Sequence, residues 1–200
     1  MRIFRFAIAP ALALLTAMPA AAEKIPLNAI SNYFNGLKTV VAYFSQVNAD
    51  GSTSEGKLYI HRPGRVRFEY GGKNKTLVLA SGGQVAVFDP KSNTGHKEYP
   101  LSKTPLSIIL APTVDLARAN MVTGYSETQQ GMTVVQAQDP AHPEYGNIQM
   151  VFSANPVQLQ QWVVTDDTGR KTTVVLRKMQ TGMSLPPSTF AIPSEVNRRK

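Results

Sequence analysis

The pattern of hydrophobic and polar residues changes its period once, from helical spacing near the start of the chain to a two-residue alternation beyond it. Leu27, Ile30, Phe34 and Leu37 recur at helical spacing with polar residues between them, which predicts a first helix over 26–38. Alternating segments bounded by turn residues then predict about ten strands in antiparallel succession. The segments with the clearest alternation are 41–47, 56–62, 65–70, 75–80, 84–89, 132–138, 147–152, 159–165 and 171–179.

The middle of the chain and its tail depart from this alternation. Thr104 is expected to cap a short helix with Pro105 in its first position, ended by Pro112. A second helical piece is predicted over 113–120. The tail at 185–193 contains two adjacent prolines and is predicted to be an edge segment of the sheet.

This order of elements favours one domain over two, because no low-complexity linker or internal repeat divides the strands. The fold class that it predicts is mainly β with helices (α+β). We expect a single strongly curved antiparallel sheet that closes over its helices. Such a sheet has an inner face.

One charge lies on the apolar row of a predicted strand. Gly56, Leu58, Ile60 and Arg62 share one face in the two-residue alternation, so Arg62 points inward with the apolar residues. A buried guanidinium costs several kcal/mol unless its donors find acceptors, so we expect a specific partner for it. The alternative is that Arg62, last in its strand and followed by the turn 62–65, has already turned out to solvent.

The first residues resemble a targeting signal. Arg2 and Arg5 precede an apolar run and then small residues, which predicts a signal peptide over 1–22 and a mature domain over 23–200. The mature protein is therefore expected to be exported, and to be soluble, since no later segment is long and apolar enough to span a bilayer.

Charge and composition exclude several classes of function. The 21 Lys and Arg against 13 Asp and Glu become 19 against 13 without Arg2 and Arg5, a net charge of +6. The basic residues lack the aromatic interleaving typical of nucleic-acid binding, so nucleic acid is not an expected partner. Anionic lipid head groups, an acidic partner, or solvated strand faces with no partner all fit this balance.

Catalytic and metal-binding patterns are weak. The chain has no cysteine, which excludes disulfides and thiolate chemistry. The sequence Asp167-Thr168-Gly169 matches an aspartic-protease motif but lies between two predicted strands, where it fits a hairpin turn better. No enzyme activity, cofactor or metal is therefore expected. The histidines are far apart and lack metal-ligand spacing: His61, His96 and His142.

A series of short motifs in a fixed order resembles a known family, the periplasmic outer-membrane lipoprotein carriers called LolA. The resemblance covers the mature chain from Leu27 to Pro193, and the order and spacing of the motifs carry it rather than any single one. The motifs are Phe44-x-Gln46, Gly56-x-Leu58-x-Ile60-x-Arg62-Pro63, Arg67-Phe68-x-Tyr70, Ser81-Gly82-Gly83, Val87-Phe88-Asp89, Asp167-x-Gly169-x-x-Thr172 and Phe190-x-Ile192-Pro193.

The resemblance implies an unclosed half-barrel whose apolar cavity is covered by a helical lid. It implies a carrier that takes acylated lipoproteins from the inner-membrane ABC transporter LolCDE and delivers them to the outer-membrane acceptor LolB, if the cell has one. It also implies that Arg62 hydrogen-bonds lid carbonyls and acts as the lid latch. A monomer is expected.

The inward rows supply candidate residues for this cavity and its lid. They are equally compatible with a solid core packed against the first helix. An envelope lipid-binding sensor or regulator, or a lipid scavenger of the same fold, is the alternative function. The candidate acyl-chain wall comprises Phe44, Leu58, Ile60, Val66, Phe68, Leu79, Val87, Ile148, Met150 and Trp162, and the candidate lid residues are Leu106, Ile109 and Leu110.

Overall fold

Eleven strands form one antiparallel sheet in the computed structural model, which describes residues 23–72, 75–93 and 95–199. The sheet order is β6-β5-β4-β3-β2-β1-β11-β10-β9-β8-β7, so two meanders are joined where β1 pairs with β11. The predicted signal peptide, 1–22, lies outside the described residues. The strands are β1 (Thr39–Val47), β2 (Thr53–His61), β3 (Arg65–Tyr70), β4 (Leu77–Ser81), β5 (Gln84–Phe88), β6 (Lys97–Pro100), β7 (Val122–Glu127), β8 (Thr133–Gln138), β9 (Asn147–Ser153), β10 (Gln158–Thr165) and β11 (Lys171–Thr181).

The sheet is not closed into a barrel: within the described ranges, β6 and β7 are its two ends and do not pair with each other. The predicted fold class, mainly β with one unclosed antiparallel sheet and helices packed on it, is confirmed. Both end strands were missing from the predicted set. Lys97–Pro100 is short and largely exposed, and Val122–Glu127 is interrupted by Gly124, so neither shows an alternating apolar row.

Three helices accompany the sheet in the described part of the chain: α1 (Leu27–Gly36), α2 (Leu106–Leu110) and α3 (Ile192–Arg198). Helix α1 agrees with its prediction. The Thr104 hydroxyl does not cap α2, because it donates backwards to the carbonyl of Leu101 at 2.8 Å. None of these helices is long and apolar enough to cross a membrane.

Two segments adopt structures other than those predicted. Residues 113–120 form an irregular strap with a turn at 115–119 and not a helix, because α1 side chains form hydrogen bonds with the backbone of Val114 and Leu116. The tail forms the 3₁₀ turn Pro187–Phe190 followed by α3, and not an edge strand. Its apolar residues pack against one face of the sheet, which is a larger gain than pairing at an edge.

The sheet buries both of its faces. We call the face covered by α1 and α2 the inner face, and the face covered by the tail and α3 the outer face. The inner face carries the main core, and the outer face has a smaller cluster beside α3. Leu79 belongs to this smaller cluster and was wrongly assigned to the inner row. It pairs with Arg67, whereas its neighbours Val78 and Ala80 pair with Phe68 and Val66 on the inner side.

A buried ion pair holds α3 to the outer face. Glu195 is 5% exposed, and its carboxylate accepts hydrogen bonds from Arg67 Nη1 at 3.3 Å and Arg199 Nε at 3.0 Å, with Arg198 as a further partner. Burial alone raises the pKa of Glu195, but the hydrogen bonds from Arg199 and Arg67 and the positive charge around it outweigh burial and lower the pKa. The carboxylate therefore stabilises the fold.

Glu195→Gln is expected to lower the free energy of unfolding by about 2 kcal/mol at pH 7, because Arg67 loses a charged partner in a buried site. Urea denaturation measures this change, with the exposed Glu55→Gln as control. Because the folded pKa lies below the unfolded value of about 4.3, the stabilisation is complete above that pH and is lost as pH falls through the folded pKa. Equal unfolding midpoints for wild type and Glu195→Gln at pH 7 would contradict the assignment.

Candidate functional site

The turn between β2 and β3 connects the sheet to the end of α2. Gly64 has φ +71°, a left-handed conformation that favours glycine, and its N–H donates to the Leu110 carbonyl at 2.9 Å. The Arg62 N–H donates to the carbonyl of Lys38, just beyond α1, at 2.8 Å. This turn therefore contacts both helical elements of the inner face.

The Arg62 side chain lies against the same two helices. It is 6% exposed, and its Nη2 donates to the carbonyl of Ala111 at 2.6 Å. Its guanidinium carbon is 5.8 Å from the centroid of the Phe34 ring on α1. The alternative in which Arg62 turns out to solvent is therefore wrong.

Arg62 is only partly satisfied in this position. Its Nε is buried and has no hydrogen-bond partner among the described residues, and burial lowers the pKa of the guanidinium below its ordinary value. The acceptors for this turn are the carbonyls at the C-terminal end of α2, which have no hydrogen-bond partner within the helix itself. The Leu110 carbonyl accepts from the Gly64 N–H and the Ala111 carbonyl accepts from Arg62 Nη2, so one turn bonds both carbonyls. The Ala111 carbonyl is the specific partner that the sequence predicts for an inward guanidinium.

The predicted wall residues other than Leu79 lie on the inner face. Val87 is half-buried and pairs with Val78, which packs against the main core. Of the predicted lid residues, Ile109 and Leu110 are buried in the same core, and Leu106 packs partly buried against it. The remaining wall residues are each at most 6% exposed: Phe44, Leu58, Ile60, Val66, Phe68, Ile148, Met150 and Trp162.

These residues form a closed core in this structure. Ring pairs connect the two halves of the sheet and α1, with Phe68 and Trp162 at 6.3 Å between centroids and Phe34 and Phe152 at 5.8 Å. Space for a ligand on the inner face therefore requires a covering helix to move. Helix α2 is the smaller of the two covers, with five residues against ten for α1.

Sequence reasoning missed a polar contact on the inner face, near the C-terminal end of β1. There the Tyr70 hydroxyl donates to Gln46 Oε1 at 2.8 Å, and burial raises the pKa of Tyr70 to about 12. The Phe44 ring packs edge-on against Tyr70 at 5.1 Å and lies close to Gly56. The alternation over 65–70 puts Tyr70 on the same face as Phe68, and this is the signal that could have identified it.

The turn at 166–169 is a hairpin turn between β10 and β11. Asp166 accepts hydrogen bonds from Thr168 and Arg170, which outweigh the effect of burial and lower the pKa of Asp166 to about 2. Gly169 has φ +79° and donates to the Asp166 carbonyl at 3.0 Å, as a hairpin turn requires. Over the described ranges, no three His, Cys, Asp or Glu side chains come together as a metal site.

Comparison with known proteins gives consistent matches. A family model described as "Outer membrane lipoprotein carrier protein LolA" matches residues 35–193. A protein from Pseudomonas paraeruginosa named outer-membrane lipoprotein carrier protein is 24% identical over 207 aligned residues and covers 98% of each chain. Proteins of the same name from Methylococcus capsulatus and Chromobacterium violaceum are 25% and 26% identical, covering 84% and 93% of this chain and 84% and 92% of theirs.

A solved structure gives the same fold. A domain from Vibrio parahaemolyticus, described as an outer membrane lipoprotein-sorting protein domain, superposes with a TM-score of 0.52 at 9% identity. The match covers 86% of this chain and 98% of that one. At this identity the likeness shows a shared fold alone.

Proposed function

Because this chain belongs to the LolA family of outer-membrane lipoprotein carriers, we propose that it is a periplasmic carrier that binds lipoprotein acyl chains on its inner face. In this function it takes acylated lipoproteins from the inner membrane and delivers them to the outer membrane. The donor is an ABC transporter of the LolCDE type and the acceptor a protein of the LolB type. The carrier acts as a monomer without a catalytic step.

The observation that carries this proposal is an apolar inner face covered by a short helix that a single turn holds shut. Helix α2 contributes Ile109 and Leu110 to the core, and its end is bonded by the Arg62 side chain and the Gly64 N–H. A cover of this kind can be displaced without disrupting the strand pairing beneath it. An apolar ligand then replaces the contacts that α2 made.

The energies of the two competing states are of similar size. A hydrogen bond to a charged donor contributes about 1.5 to 3 kcal/mol, and withdrawing α2 from the core costs several kcal/mol more through its buried side chains. An acyl chain of about sixteen carbons gains on the order of 10 kcal/mol on leaving water, at about 0.8 kcal/mol per CH₂. Binding of one chain is therefore sufficient to keep α2 displaced.

The direction of transport must come from the partners. An acyl chain that passes from a bilayer to the inner face exchanges one apolar environment for another, so most of the transfer free energy cancels. Loading then requires work by the donor, and release requires an acceptor with a more favourable site. This is why a carrier of this type needs no active site of its own.

Native mass spectrometry of the protein purified from periplasm tests the proposal. We expect adducts whose masses match acylated lipoproteins or their acylated peptides. Free phospholipid as the bound species would instead indicate a lipid scavenger. An empty protein that co-purifies with a signalling protein would indicate an envelope sensor, and either result would overturn the carrier function.

A further inference from the structure

The strap that follows α2, residues 113–120, is bonded to α1 by two polar side chains. The Val114 N–H donates to Asn35 Oδ1 at 2.9 Å, and Asn35 Nδ2 donates to the Val114 carbonyl at 2.9 Å. One turn away, Ser31 Oγ accepts the Leu116 N–H at 3.0 Å and itself donates to the Leu27 carbonyl at 2.8 Å. Asn35 therefore satisfies both main-chain groups of residue 114, as a neighbouring strand would.

Burial strengthens this attachment. Val114 and Leu116 are each 2% exposed and belong to the core of the inner face, so the strap is fixed by packing as well as by hydrogen bonds. Thr113 and Ala117, on either side, are exposed. The strap thus has a defined anchored portion at 114–116.

Helix α1 is in turn fixed to the β7–β10 half of the sheet. The Tyr33 hydroxyl accepts the Leu159 N–H at 3.2 Å, and the Tyr33 ring packs edge-on against Phe152 at 6.1 Å. Just before α1, the Ile25 N–H donates to Thr133 Oγ1 at 2.8 Å and the Ile25 carbonyl accepts from the Tyr125 hydroxyl at 2.7 Å. Helix α1, the anchored strap and this half of the sheet form one body.

Helix α2 is attached differently. Before it, the Leu101 N–H donates to the carbonyl of Gly83 at 2.8 Å. Between Leu101 and Val114, the described residues make two hydrogen bonds to other parts of the molecule, and both come from the turn containing Arg62 and Gly64. The segment 102–113 is therefore tethered at both ends and held in between by hydrogen bonds from one turn and by the packing of Ile109 and Leu110 in the core.

We propose that Asn35 is a positioning residue that sets the hinge of the lid. Segment 102–113 swings away during loading, while the strap at 114–116 stays on α1. This inference rests on the proposed function, because admission of an acyl chain is what the movement serves. The Asn35 clamp fixes where the moving segment ends, so it limits opening to the space under α2 and keeps α1 on the inner face.

Hydrogen exchange followed by mass spectrometry, with and without a synthetic triacylated lipopeptide, locates the hinge. On binding, peptides covering 102–111 should exchange about tenfold faster or more, because α2 leaves the core and its N–H groups become accessible to water. Peptides covering 114–118 should keep their protection. Equal loss of protection in both segments would show that the strap moves with α2, and would overturn the inference.

The variant Asn35→Ala tests the role of the clamp directly. In the unloaded protein it should speed exchange at 114–118 by about five- to tenfold relative to β9, whose exchange is unchanged. The matched control is Asn32→Ala, an exposed asparagine on the same helix. Asn35→Asp keeps the acceptor for the Val114 N–H but not the donor, so it should restore part of the protection. Unchanged exchange at 114–118 in Asn35→Ala, or a rise that β9 shares in both Asn35 variants, would overturn the role.

The experiments distinguish failure of the hinge proposal from failure of the proposed carrier function. If the lipopeptide does not bind, the proposed function is overturned. The hinge is then decided in the free protein, where 102–111 must exchange faster than 114–118. The reverse order of exchange in the free protein would overturn the hinge even if the lipopeptide binds.

Discussion

Replacing Arg62 by leucine should leave the protein folded and slow its release of bound lipoprotein by about ten- to a hundredfold. The guanidinium donates to the Ala111 carbonyl at 2.6 Å only when α2 lies on the inner face, so the bond favours the unloaded state alone. A charged hydrogen bond of about 1.5 to 3 kcal/mol corresponds to this factor. Without it, the closing lid no longer competes effectively with the acyl chain, and cargo is retained.

The fold should tolerate this change because the guanidinium is buried and its Nε has no partner among the described residues. The rate at which lipoprotein passes from the loaded variant to acceptor-containing vesicles measures the effect. Arg177→Leu serves as control, since Arg177 is exposed on β11, away from α2. Transfer by Arg62→Leu at the wild-type rate would exclude the latch.

Gly56→Ala should destabilise the fold by about 3 kcal/mol or more. A Cβ at this position would lie 2.0 Å from the backbone oxygen of Glu69 on β3 and 2.9 Å from Cε1 of Phe44 on β1. The backbone oxygen cannot move aside without breaking the pairing of β2 and β3. The effect is therefore expected on the sheet itself and not only on one side chain.

The control for this substitution is Gly36→Ala at the end of α1, where a Cβ would meet nothing within 4 Å. It should change stability by less than about 1 kcal/mol, in the stabilising direction, because alanine favours helix. Urea denaturation followed by the emission of Trp162 reports both variants. Similar unfolding midpoints for Gly56→Ala and wild type would show that β2 and β3 approach less closely than described.

Much of the sheet was predictable because its local patterns agree with its tertiary structure. The β2–β3 hairpin shows strict alternation and a Pro63-Gly64 turn, and both are observed where the sequence placed them. The inward direction of Arg62 followed from the same alternation. Its partner was predictable only as a type of group, a carbonyl of the lid, which the family resemblance implied.

Where both faces of a strand are buried, the pattern of apolar and polar residues does not show which side chains face the core and which face outward. All residues of Leu77–Ala80 are apolar, so the sequence could not reveal that Leu79 faces α3 while its neighbours face the core. The outer-face cluster exists because α3 covers it, and α3 was not predicted. The adjacent Pro186 and Pro187 suggest an edge segment, but Pro187 and Pro193 lie in the first turns of helical elements, where proline is tolerated.

The strap at 113–120 was mispredicted because its structure is set by residues distant in sequence. Asp115 and Arg118 suggest the first and last turns of a helix, yet hydrogen bonds with Asn35 and Ser31 fix the backbone at 114 and 116, and only a single turn forms at 115–119. Sequence separations of 79 and 85 residues leave no local signal for such bonds. The hinge proposed above was therefore visible only in the structure.

The most direct measurement of acyl-chain binding on the inner face is quenching of the single tryptophan of the chain. Trp162 is 2% exposed, lies next to Phe68 on the inner face and is the only tryptophan in the sequence. A lipopeptide with brominated acyl chains should quench its emission in a saturable way, because bromine quenches on contact, and the peptide without acyl chains should not. Stoichiometric binding of the brominated lipopeptide, seen by native mass spectrometry, with unchanged Trp162 emission would place the acyl chains elsewhere and contradict the carrier function proposed for this face.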